Sequence, residues 1–191
     1  WQGQRQDIRT HLLIENSQVL TENLHQERIE FAVVDLRDAS DFDDLDIKAV
    51  ATHPGGFFTR KDHPLQRVEH ASNQDVLDYG FVSIALPRKL EMNFIKTFAL
   101  KKGQALLQCE CDNFAACEDV MLATDLILPT LNCAIDASVK KPNMRQLEIA
   151  SLPVVQGTWG VASLKGRFIQ PATKALMAEF LHAANSYVKN I

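Results

Sequence analysis

Two periodicities alternate along the chain. Short continuous apolar runs, the mark of strands buried on both faces, are separated by segments whose apolar residues recur every three or four positions, the mark of one-sided helices. Arg9 to Ile14 (RTHLLI) reads as a strand. Asn16 or Ser17 can cap the next helix, where Val19, Leu20 and Leu24 fall at helical spacing. Ile29 to Val34 (IEFAVV) is a continuous apolar run that ends in Asp35. Strand, helix and strand this close together predict a parallel crossover unit.

The same reading continues downstream. Lys48 to Thr59 (KAVATHPGGFFT) starts and ends like a strand, and the His-Pro-Gly-Gly within it predicts a bend or a passage between sheets. Arg60 to Pro64 is a turn. Ser72 or Asn73 caps a short helix around Asp75 to Leu77, Phe81 to Ala85 is a strand, and Pro87-Arg88 ends it. A helix from about Glu91 to Leu100 presents Phe94, Ile95 and Phe98 and is stopped by Gly103. Ala105 to Cys111 is a strand, and Asp112 caps a helix running to about Ala123. Asp125 to Leu128 is a short strand stopped by Pro129. Asn143 to Leu152 supplies another strand region, and Trp159 to Leu164 is the last strand, followed by a Lys165-Gly166-Arg167 turn. Pro171 opens the final helix, in which Ala172, Leu176, Phe180, Ala184 and Val188 repeat every four residues. Regular alternation of strands and helices predicts an α/β fold with largely parallel sheets.

Composition adds limits. The 191 residues suffice for one large domain or two small lobes sharing a cleft, with a core that needs neither disulfides nor metal. Twenty Lys and Arg against 24 Asp and Glu give a formal charge of -4, and the longest basic runs are pairs such as Lys101-Lys102. A phosphate-binding surface needs clustered positive charge, so this chain by itself is not expected to bind nucleic acid. The four cysteines, at 109, 111, 117 and 133, are too crowded for a disulfide framework and read as reduced thiols of a cytoplasmic protein. Cys109-x-Cys111 lies in a strand with both residues on one face, but no second close pair and no well-spaced histidine completes a thiolate metal site. The acidic loop Asp38 to Asp46 fails as a calcium loop, because Asp46 stands where glycine is needed and Thr52 where the bidentate glutamate belongs. No apolar run long enough to span a membrane and no export signal is seen.

Catalytic patterns are missing from the sequence. There is no phosphate-binding glycine loop, no G-x-G-x-x-G, no G-x-S-x-G and no H-E-x-x-H. The six histidines are scattered without ligand spacing. Only His53, flanked by Pro54 and two glycines, is a candidate for touching a ligand. Neither enzymatic activity, a cofactor nor a metal is expected.

Three segments together resemble a family. ENSQVLTENLHQERIEFAVVDLRD (15–38) is similar to a strand-helix-strand of the effector-binding domains of LysR-type transcriptional regulators. ATHPGGFFTRKDHPL (51–65) resembles the strand that crosses from their first lobe to the second, with its trailing His-Pro-Leu. WGVASLKGRFIQPATKALMAEF (159–180) resembles their closing strand, basic turn and last helix, and ATDLILPT (123–130) is a weaker fourth match. The four occur in order over nearly the whole chain.

The resemblance implies two Rossmann-like α/β lobes of the type 2 periplasmic-binding-protein kind, joined by crossing strands. Lobe I would hold residues 1–52 and 158–191, and lobe II 53–157. A small-molecule effector would bind in the cleft between them, with Asn16, Ser17, Asp35, His53, Pro54 and Gly55 on one side or at the crossing. Ala85, Pro87, Arg88, Leu128, Pro129 and Thr130 would line the second lobe. An aspartate at 35, where some carboxylate-binding relatives place a cation, argues against an anionic effector. The family's effector domain begins with a strand and helix ahead of Asp7, and Trp1 to Gln6 resembles the tail of that helix. Losing a central strand would cost more than a domain's marginal stability, so that strand is expected in the protein although it does not stand in this sequence. The resemblance further implies a homodimer or higher homo-oligomer built on the helix from Ser17 and its preceding strand. DNA would be bound only through an N-terminal winged helix-turn-helix that lies outside this sequence. The rivals are a transporter's solute-binding protein and a two-lobed dehydratase-like enzyme, the latter needing an acid/base pair for which Asp35 and His53 are the only candidates.

Overall fold

The structure, a computed structural model, describes residues 5, 7–37, 43–149 and 152–189, with the backbone alone at 49, 51 and 185–189. The chain divides into two compact units, residues 1–52 with 158–191, and residues 53–157. Two strands carry the chain from one unit to the other: β2 (Leu45–Arg60) and β7 (Gln156–Leu164).

In the first unit, α1 (Ser17–His25) starts where Asn16 accepts a hydrogen bond from the Val19 N–H, satisfying one of the free donors of the first turn. β1 (Ala32–Asp35) pairs antiparallel with β7, Ala32 opposite Ala162 and Asp35 opposite Trp159, and β7 in turn neighbours β2. Alternate strand residues face opposite ways. Ala32, Val34 and Ala162 meet Leu20 and Leu24 of α1. Val33 and Val161 instead meet Met177 of α6 (Pro171–Lys189). A three-stranded layer is thus covered by one helix on each face. Gly160 allows β2 this close, because a Cβ there would lie 2.6 Å from Ile47.

The second unit repeats the layering with different side chains. α2 (Asn73–Tyr79) opens with a reciprocal capping box between Ser72 and Asp75. β3 (Phe81–Ser83) pairs in parallel with β4 (Leu107–Glu110). β5 (Leu128–Leu131) and β6 (Met144–Gln146) pair antiparallel with β2. Phe57 stacks on Phe94 of α3 (Arg88–Thr97) at 5.3 Å, while its neighbour Phe58 points the other way. There it joins Cys117 and Met121 of α4 (Phe114–Ala123) and Ile135 of α5 (Asn132–Ala137). Phe81 and Phe98 complete the aromatic side.

Several expectations change. Residues 9–16 form no strand, and Leu12 and Ile14 are exposed. With no strand before α1, the parallel crossover unit expected there is not formed among the described residues. The pairings of β1 with β7 and of β2 with β5 and β6 are antiparallel, not parallel; β3 pairs in parallel with β4, and Phe81 bridges Ile127 in parallel. Pro129 does not stop a strand. The chain leaves Ile127, bonded to β3, and continues through Pro129 opposite Phe57. β5 lies at the end of the strand order, where a residue without an N–H is tolerated. α3 ends at Thr97, with Ala99 at φ 50°, ahead of Gly103. Asn113, not Asp112, caps α4. In α6 the buried positions are Thr173 and Met177, one residue beyond the expected stripe, so Phe180 stays 39% exposed. The side chain of Val188, most of the Trp1–Gln6 stretch and residues 38–42 of the acidic loop lie outside what is described. No helix among the described residues is long and apolar enough to cross a membrane.

Candidate ligand-binding site

The first unit brings Ser17 and Asp35 together. The Ser17 hydroxyl oxygen accepts the Asp35 backbone N–H at 3.0 Å, tying the start of α1 to the end of β1. Its own O–H remains available to donate, beside a helix N-terminus whose dipole favours negative charge. The Asp35 carboxylate accepts the Arg37 backbone N–H at 2.9 Å and both of its oxygens accept from Arg37 Nε at 2.9 Å, with a further bond from the guanidinium. Asp35 is 5% exposed. Its negative charge is therefore matched within the unit, and the argument that this aspartate repels an anion loses its force. Arg37 was not among the sequence candidates. The sequence offers only a cation two residues beyond Asp35, the last residue of β1, and not that its side chain folds back onto the carboxylate.

In the second unit His53 is buried and Pro54 is exposed. Gly55 donates its N–H to the Val155 carbonyl at 2.8 Å, and a Cβ there would lie 2.4 Å from the Thr130 carbonyl oxygen. Glycine is thus required by close packing of β2 on β5. A recess of about 390 Å³ opens beside Gly55, Gly56 and Phe57, walled by Gln146 to Ile149 and Leu152 to Val155. Its volume falls in the range of small-molecule sites. None of the residues from 146 to 155 was singled out in the sequence, because nothing in their types marks a site.

The remaining candidates separate by burial. Ala85 and Arg88 are exposed and Pro87 half-buried, at the start of α3, which no side chain caps. Thr130 is half-buried. Leu128 is 1% exposed inside the α4 cluster and Pro129 is buried. Packing, not ligand contact, explains the Leu128 side chain.

Two further groups have structural explanations. His63, of the His-Pro-Leu segment, is fully buried, accepts the Leu65 N–H on Nδ1 at 3.1 Å and meets the Asp125 carbonyl through Nε2 at 2.9 Å. That pattern fixes the neutral tautomer with the proton on Nε2, and burial lowers its pKa below the usual histidine value. Three of the four thiols have pKa values raised above the ordinary cysteine range. Burial pushes Cys117 up to about 12 and raises Cys133, while the hydrogen bond with Cys111 raises Cys109. Such thiols are poor nucleophiles. The described residues hold no group of three or more His, Cys, Asp and Glu arranged to bind a metal ion.

Comparison with known proteins gives these features a context. The chain is 25% identical over 177 residues to the SDS degradation transcriptional activation protein of a Pseudomonas species, a match covering 91% of this chain and 57% of that protein. The chain thus spans little more than half the length of this curated relative. Among solved structures, the effector binding domain of QuiR in complex with shikimate aligns with a TM-score of 0.71 at 18% identity, over 96% of this chain and 85% of that one. The regulatory domain of Synechocystis CcmR in complex with 2-PG aligns at 0.75 and 15% identity, over 96% and 86%. A putative transcriptional regulator from Vibrio parahaemolyticus aligns at 0.76 and 12% identity, over 99% and 85%. These likenesses establish a mixed α/β, two-lobed fold of the type 2 periplasmic-binding-protein kind. The LysR substrate binding domain profile matches residues 1–185, and the chain belongs to that family.

Proposed function

We propose that this chain is the effector-sensing regulatory domain of a LysR-type transcription regulator. It binds a small molecule and passes the event to a winged helix-turn-helix elsewhere in a longer protein. The family match across residues 1–185 carries this reading. The polar network at the start of α1 supports it, because Ser17 presents a hydroxyl beside a helix N-terminus and is fixed there by Asp35. Within the first unit we assign effector contact to Asn16 and Ser17, and within the second, taken by itself, the candidates are the segments around Pro54, Gly55, Ala85, Pro87, Arg88 and Thr130. Asp35 acts by holding Ser17 and Arg37 in place, and Leu128 and Pro129 by packing. His53 sits next to these contacts in β2. The domain works as a binding module of the cytoplasm and carries out no reaction.

Binding is read out as a population shift. An effector with higher affinity for one conformation draws the domain toward it, with coupling of about 1–3 kcal/mol. The domain acts as a homodimer, with the exposed Leu12 and Ile14 ahead of α1 as part of the contact. Gel filtration at micromolar concentration is expected to give a dimer, and a strict monomer contradicts that contact. The test of the sensing role is a thermal-shift screen of small organic acids, starting with shikimate and 2-PG. A ligand at about 100 times its Kd adds about 2.7 kcal/mol, which in a chain of this size raises Tm by about 5–10 °C. A broad metabolite set that leaves Tm unmoved refutes the reading.

A further inference from the structure

One pair of thiols lies apart from the residues assigned to the effector. Cys109 of β4 and Cys111, one residue past the strand's end, lie on the same face with their sulfurs 3.7 Å apart. Their backbone positions are fixed. Cys109 pairs with Val82 in the β3–β4 ladder, and the Cys111 N–H donates to the Ser83 carbonyl at 3.1 Å. Both side chains are half-buried, so solvent and a small ion reach them. Both pack against the cluster that contains Cys117 and the thioether of Met121. The neighbourhood is rich in soft donors.

We propose that Cys109 and Cys111 form a binding site for a soft monovalent cation, Cu(I) in chemical class. Thiolate and thioether ligands select such ions over Mg²⁺, Ca²⁺ or Mn²⁺, which require oxygen. A metal–sulfur bond of about 2.3 Å places two sulfurs about 3.8 Å apart at a tetrahedral angle and about 4.6 Å apart in a linear complex. The observed separation is therefore within about 1 Å of either arrangement, a distance that side-chain rotation supplies. A structural zinc site takes four ligands, and the described residues group no three such side chains around an ion. An ion content with two sulfurs remains. Binding exchanges two thiol protons for one cation: Cu⁺ and two thiols give a bis(thiolate) complex and two released protons, with no change of oxidation state.

The purified chain is titrated with Cu(I) under nitrogen against bicinchoninate as a competing chromogenic chelator. One equivalent is expected to leave the chelator, with a thiolate-to-copper absorption band below visible wavelengths. Cys109→Ser and Cys111→Ser each weaken retention by about 100-fold or more, while Cys133→Ser leaves it unchanged. A measurement without substitution guards against misfolded variants: Cu(I) protects Cys109 and Cys111 of the unaltered chain from iodoacetamide, as mapped by mass spectrometry. No withdrawal of copper, full retention by the Cys109→Ser/Cys111→Ser double variant, or unchanged alkylation at both positions overturns the proposal.

Discussion

The N-termini of α1 and α3 show two ways of presenting a helix start. At α1, Asn16 caps the backbone, Ser17 is bonded to Asp35, and Asp35 is held by Arg37, so the polar groups form a connected network. At α3, Pro87 occupies the cap position, no side chain caps the helix, and Arg88 is exposed. The first start is built into its unit, and a change there spreads into packing. The second is loosely attached, and a change there stays local. A substitution at the first start is therefore expected to change stability, whereas one at the second is not.

Substitutions can break or sharpen that contrast. Asp35→Ala is expected to have the largest effect, a loss of about 2–3 kcal/mol by urea unfolding, because it strands a guanidinium that is mostly buried. A loss below half a unit would show the network to be ornamental. Gly55→Ala comes next at about 2 kcal/mol, since the new Cβ meets a carbonyl oxygen of the neighbouring strand, which moves only with its backbone. His63 gives the chain a pH dependence that the α1 network does not explain. Its folded-state pKa lies below the ordinary value of 6.5, so the unfolded chain takes up the proton first as pH falls. Stability is full above that value and drops on acidification toward the folded-state pKa, at no more than about 1.4 kcal/mol per pH unit. His63→Gln is expected to flatten this slope; an unchanged slope assigns it to other groups. Ser17→Ala costs about 1 kcal/mol by leaving the Asp35 N–H without its acceptor. Arg88→Ala changes stability by less than about 0.5 kcal/mol. If it matches Ser17→Ala in destabilisation, the two helix starts are not different in kind.

What the sequence revealed depended on how local the cause was. The caps, narrowed to Asn16 or Ser17 and to Ser72 or Asn73, the Pro171 start and the apolar runs Ile29 to Val34 and Trp159 to Leu164 were legible in outline, because each follows from a few adjacent residues; β1 itself starts at Ala32 and β7 at Gln156. Strand direction was not, since α/β alternation suggested parallel pairing and tertiary contacts set β1 against β7 the other way. RTHLLI looked like a strand by composition, yet it finds no pairing partner among the described residues. The places of Ser17 and Asp35 at the start of α1 and the end of β1 were legible, and the structure joins the two by a hydrogen bond. The neutralisation of Asp35 depended on a side chain two residues away folding back, which no spacing rule specifies. The burial of Leu128 was not legible, because a residue at a strand end can face either the core or an opening, and here it faces the core. The thiol pair was visible as Cys-x-Cys, but its 3.7 Å separation required coordinates.

The central claim is that this domain recognises a small effector through the helix start that Asp35 and Arg37 hold in place. Isothermal titration with the ligand from the thermal-shift screen tests it most directly. The account predicts saturable binding to the unaltered chain and a loss of about tenfold or more in Ser17→Ala, about 1.4 kcal/mol. Equal affinity in the two proteins would contradict it.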